Sequence, residues 1–196
     1  MWVITSAENL TIWMFDRFGG NFPNIDKRTK KQMKDVELVA QLLLFLEEGV
    51  KAYNQDYLDK AFSDRDPNWD GDVVEAEFRN TIELTKKIID LSPDLELQKT
   101  RLKNQADFYS LFGAVAELNH NHDFDISLEI GQRIKDFITI ASDEKLVDKA
   151  RDSLSKYDQD ALSYYNAVKS SFTDAGARKI RISIMKSVIE GTIGLQ

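Results

Sequence analysis

"KKQMKDVELVAQLLLFLEEGV", residues 30–50, settles the class of fold. Apolar side chains recur at Met33, Val36, Ala40, Leu43 and Leu46 in steps of three and four, and Leu42 and Phe45 widen the stripe. That spacing follows the turn of an α-helix and not the two-residue alternation of a strand. Gly49 comes just after the periodic run, where a helix commonly turns left-handed and stops. The stretch therefore predicts an amphipathic helix with Met33 at the head of its buried stripe.

The same period extends outward in both directions. "QDYLDKAF" (55–62) predicts a second helix, and "VVEAEFRNTIELTKKIIDL" (73–91) a third with Phe78, Ile82, Thr85 and Ile89 on one face. "SPDLE" (92–96) breaks the pattern and offers a helix start, with Ser92 as cap and Pro93 at the first helical position. Helical spacing resumes in "QADFYSLFGAVAEL" (105–118), in "ISLEIGQRIKDFITIA" (126–141), in one long segment over 143–171, and over 178–193 with Ile182, Met185 and Ile189 in step. Strict alternation of β-branched and aromatic residues is missing. The expectation is an all-α fold, a single multi-helix bundle of about seven or eight helices, with residues 1–25 as a lead-in and 26–196 as the helical domain.

Composition narrows the function. In 196 residues, 42% are hydrophobic, 30% charged and three are proline, as in a globular chain of one domain. There is no cysteine, so disulfides, zinc-thiolate sites and a cysteine nucleophile are excluded. The opening "MWVITSAENLTIWMF" has no basic leader and too short an apolar run for a membrane span; a cytoplasmic location without membrane contact is expected. The net charge of −7 opposes nucleic-acid binding over the whole surface and leaves room only for a local basic patch.

Two such patches stand out. Lys27, Arg28, Lys30, Lys31 and Lys34 crowd a helix start, where cations oppose the macrodipole unless an anion or acidic partner is present. Asp26 and Asp35 are the partners a merely solvated helix start would use. Arg178, Lys179, Arg181 and Lys186 form the second group, on the polar face of the last helix. The expected anion or nucleic-acid contacts are thus Lys27, Arg28, Lys30, Lys31, Lys34, Arg178 and Arg181.

Residues 66–77, "DPNWDGDVVEAE", match the calcium-loop pattern D-x-[DN]-x-[DN]-G-x5-E. Asp66, Asn68, Asp70, the main-chain carbonyl of Asp72 and a bidentate Glu77 would supply the oxygens a hard cation requires. Against this, no second loop accompanies it, Val74 has no oxygen to offer, and Pro67 and Trp69 are awkward in a wrapping loop. An acidic turn ahead of the next helix explains the same letters. No cofactor is expected, with Ca2+ the alternative. His120 and His122, beside Asp123 and Asp125, sit in a polar stretch without the further ligands a tetrahedral metal site needs. The aromatics Tyr109, Phe112, Tyr157, Tyr164 and Tyr165 fall at helical spacing, as core residues do.

Three segments, "KKQMKDVELVAQLLLFLEEGV" (30–50), "DPNWDGDVVEAEFRNTIEL" (66–84) and "TRLKNQADFYSLFGAVAEL" (100–118), resemble in order and approximate spacing the helical part of a large prokaryotic family. That family includes GmrSD-type modification-dependent restriction enzymes and related phage-defence proteins, whose N-terminal ParB-like domain has a sulfiredoxin fold and hydrolyses nucleotides. The Asp-Gly-Gln-Gln-Arg signature of that domain does not occur here; "GQR" at Gly131 to Arg133 matches by letters only, inside a helical pattern. "HNH" at 120–122 likewise spells a nuclease motif without its spaced ligands. The resemblance implies a non-catalytic helical accessory module, with a ParB-like catalytic domain, another copy of itself or nucleic acid as partner. The alternative is a single EF-hand-like calcium-binding helical protein.

Overall fold

The computed structural model describes residues 2–65, 71–120, 124–170 and 173–194. Within them the chain runs as α1 (Trp2–Arg17), α2 (Lys27–Lys30), α3 (Lys34–Glu48), α4 (Gln55–Arg65), α5 (Gly71–Asp90), α6 (Gln105–His120), α7 (Leu128–Ile140), α8 (Glu144–Ala150), α9 (Lys156–Lys169) and α10 (Ala175–Glu190). No strand occurs among the described residues, and nine of these helices have seven residues or more. The all-α expectation holds, with slightly more helices than expected.

The count rises because the segment over 143–171 is two helices. α8 ends at Ala150, and the Gln159 side-chain amide donates to the Ala150 and Ser153 carbonyls at 3.3 and 2.7 Å. Carbonyls that leave the helical ladder are thereby satisfied from the next helix. The stretch after Ser92 also departs from a regular helix. Three short 3₁₀ turns, Pro93–Leu95, Leu97–Lys99 and Arg101–Lys103, fill it, with Glu96 left-handed at φ 48° between the first two.

α3 is buried around its whole circumference from Leu38 to Phe45, and α6 from Asp107 to Ala116. Helices that are apolar on every side belong in the centre of a bundle, and the others pack around these two. Gly49 ends α3 with φ 75°, as its position in the sequence predicts. Met33 departs from expectation. It lies one residue ahead of α3 with φ 56°, and it is 49% exposed instead of heading the buried stripe.

Edge-to-face aromatic pairs join the layers. Phe22 meets Phe18 and Phe108 at 5.2 and 5.4 Å between ring centroids, and Phe45 meets Tyr109 at 5.8 Å. The first segment also contributes side chains to this core. Ala7, Leu10, Met14, Phe15, Phe18, Phe22 and Ile25 are buried in the same core as α3 and α6. On the other side of α6, α10 comes close at Gly113, where a Cβ would stand 2.7 Å from Cδ1 of Ile182. Arg133 of α7 fastens the far end of α10 by donating to the Val188 and Ile189 carbonyls at 3.1 and 2.6 Å. Arg133, the last of the "GQR" letters, thus serves as a helix C-cap supplied from a neighbour.

Deleting the side chain of a buried leucine in α1 tests how α1 is joined to the rest. Leu10→Ala is expected to cost about 3 kcal/mol, measured as a lower urea midpoint in a single cooperative transition. A detachable lead-in would leave the main transition where it was.

Candidate nucleic-acid interface

α2 is a single turn, and its sequence explains how its cations are displayed. Asp26 caps it, accepting from the Thr29 N–H at 2.9 Å and the Thr29 hydroxyl at 2.8 Å; these donors hold the Asp26 carboxyl below its ordinary pKa. Asp35 accepts from the Val36 N–H at 3.0 Å. Both carboxylates that a solvated helix start would pair with its lysines are thus turned to the backbone.

The five cations divide accordingly. Lys30 lies over the ring of Phe15, 4.4 Å from its centroid, and Lys34 pairs with Glu37. Lys27, Arg28 and Lys31 are exposed and make no ion pair among the described residues. The Asn24 N–H donates to the Lys103 carbonyl at 2.7 Å, which ties the turn ahead of α6 to the strand of chain entering α2. Lys103 is exposed and joins the neighbourhood. Its place could not be read from the sequence, because 79 positions separate it from Asn24.

The second basic group requires a correction. Arg178 and Arg181 are fully buried, at 0% exposure, and are out of reach of any nucleic acid. Arg178 lies over the rings of Tyr109 and Tyr53, 4.3 and 5.2 Å from their centroids, and donates to the side-chain carbonyl of Gln41. Gln41 in turn donates to Glu37 at 3.2 Å, and Glu37 holds Lys34. Three side chains, Gln41, Glu37 and Lys34, thus link the interior arginine to the surface. Arg181 donates to the Ser110 hydroxyl at 3.3 Å and to the Ala167 carbonyl.

Near Arg181 lies Asp107, also at 0% exposure. Its two oxygens accept from the Tyr164 hydroxyl at 2.8 Å and from Nε of Arg101 at 3.0 Å, and Arg101 continues to the Ala141 carbonyl at 2.7 Å. Burial pushes the Asp107 carboxyl above its ordinary value, while Arg101, Tyr164 and Arg181 pull it back. Burial likewise lowers both Arg178 and Arg181 and lifts Tyr164. The polar cluster is an internal brace across α3, α6, α9 and α10. Tyr109, Phe112 and Tyr164 are buried with it, as their spacing predicts.

Of the calcium-loop residues, Asp66, Asn68 and Asp70 lie outside the described residues. Asp72 and Glu77 are on α5, which starts at Gly71. Glu77 and His120 instead line one cavity of about 360 Å³ with Phe45, Glu117 and Lys186, the last two 3.7 Å apart. His120 ends α6, and His122 and Asp123 are outside the described residues. Among the described residues no group of three or more histidine, aspartate or glutamate side chains could hold a metal ion, and no helix is long and apolar enough to cross a membrane.

No family model, curated protein or solved structure matches the chain.

The brace makes a pH-dependent prediction. With its folded pKa raised, Asp107 keeps a proton in the folded state over a range where the unfolded chain has released it, so this group's contribution to stability falls as pH rises through that range. Arg101→Ala removes a cation that opposes the shift. It is expected to cost about 3 kcal/mol at neutral pH and progressively less as the pH is lowered toward the ordinary carboxylate range, read from urea midpoints of variant and parent.

Proposed function

We propose that this chain is a helical accessory module of a GmrS-like, ParB-type restriction or phage-defence protein, and that it contacts the nucleic-acid backbone through the basic turn at Lys27, Arg28 and Lys31. Catalysis belongs, on this reading, to a ParB-like partner domain. One observation carries the assignment to nucleic acid: three exposed cations on one short turn make no ion pair among the described residues, although the chain is acidic at −7 and the nearest carboxylates, Asp26 and Asp35, accept from backbone N–H groups instead. A patch of this kind is suited to phosphates, and its binding must weaken with salt because each contact releases a condensed counterion.

The family assignment rests on the three resembling segments. They correspond to α3, to α5 with the residues before it, and to the turn leading through α6. These helices pack on one another in the core, so the shared pattern concerns how the bundle is built.

The test is fluorescence anisotropy of a labelled DNA duplex over a series of salt concentrations. The parent is expected to bind with a slope of log K against log salt of about −3, near −0.9 for each phosphate neutralised. Lys27→Glu, Arg28→Glu and Lys31→Glu combined should abolish binding while leaving the thermal midpoint in place. Affinity that does not respond to salt, or that survives the triple reversal, would overturn the reading.

A further inference from the structure

The residue that breaks the helical pattern lies beside the basic turn. Met33 is a non-glycine residue in the left-handed region, φ 56°, at the junction of α2 and α3. It is 49% exposed and is not among the side chains packed against the core. Its backbone is nevertheless fixed on both sides: its N–H donates to the Lys30 carbonyl at 2.9 Å, and its carbonyl accepts from the Glu37 N–H at 2.9 Å. A flexible apolar side chain is thus presented to solvent from a rigid and strained mount, with Lys31 exposed two residues before it and Lys27 and Arg28 one turn back.

That arrangement lacks an internal rationale. A methionine that leaves 49% of its surface in water forgoes much of what burial would supply, and left-handed backbone disfavours any residue with a Cβ. Glycine would relieve the strain. The arrangement does match the way duplex-bending proteins combine cations on phosphates with an apolar wedge between base steps, methionine among the wedges used. It does not match a single-strand site, which uses exposed aromatic rings for stacking. The neighbouring ring, Phe15, is buried and covered by Lys30.

We propose that Met33 is a wedge that enters the minor groove of a DNA duplex and kinks it, while Lys27, Arg28 and Lys31 hold the flanking phosphates. This rests on the phosphate-contact reading of the same segment. The wedge adds a bend and a component of affinity that does not vary with salt. Met33→Gly removes the side chain and suits the left-handed backbone, so the variant folds at least as well as the parent.

The experiment measures anisotropy and end-to-end energy transfer on a doubly labelled duplex, with the full chain, its Met33→Gly variant and the triple charge reversal, each checked by its thermal midpoint. The parent is expected to bend the duplex by at least about 20°, and Met33→Gly to keep the salt slope, lose the bend and bind about tenfold more weakly. A parent that binds without bending, or a Met33→Gly variant that bends and binds as the parent does, overturns the wedge. The phosphate reading survives those two outcomes if the charge reversal still abolishes binding. No binding by the parent at low salt overturns both.

Discussion

Two arginines and an aspartate in the interior set the terms for the rest of this bundle. Desolvating charged groups is costly unless each finds partners of good geometry, and removing one member strands the others. Asp107 therefore needs Arg101 and Tyr164 at once, and Arg181 needs Ser110 and the Ala167 carbonyl. These residues come from α6, α9, α10 and the turn before α6, so the cluster forms only when all of them are assembled. The surrounding hydrocarbon supplies most of the burial free energy, and that contribution is non-directional. The brace is directional, and it specifies which face of α10 meets α6.

The bundle was legible because helical periodicity dominates the chain, and the stops at Gly49 and near Ser92 carry local chemistry. The errors have particular physical causes. By residue type Arg178 reads as part of an outer polar face, yet it keeps four-, three- and four-residue steps with Ile182, Met185 and Ile189, which places it on the inner stripe. Long cationic side chains can be buried where aromatic rings and carbonyls receive them, and no local rule marks that environment. Met33 fits the stripe of α3 by spacing alone, but the helix begins one residue later. The break within 143–171 depends on Gln159 reaching back to Ala150 and Ser153, a tertiary choice over propensity.

The candidate interface was legible as a run of cations and illegible as a surface. Composition cannot say which lysines will be used internally. Lys30 is taken by a ring, Lys34 by a carboxylate, and Arg178 and Arg181 by the core. What remains outside is a smaller and more defined set than the sequence suggests. It gains Lys103 through a backbone hydrogen bond between segments far apart in the chain, and it acquires an apolar neighbour in Met33.

The chain of side chains from Lys34 through Glu37 and Gln41 to Arg178 has an evolutionary consequence. Residues within one polar network do not vary independently, and the effect of changing one depends on the state of the others. Lys34 therefore has the accessibility of a surface position and the epistasis of an interior one. Selection on the surface at Lys34 is coupled, through a glutamate and a glutamine, to selection on how the bundle holds together.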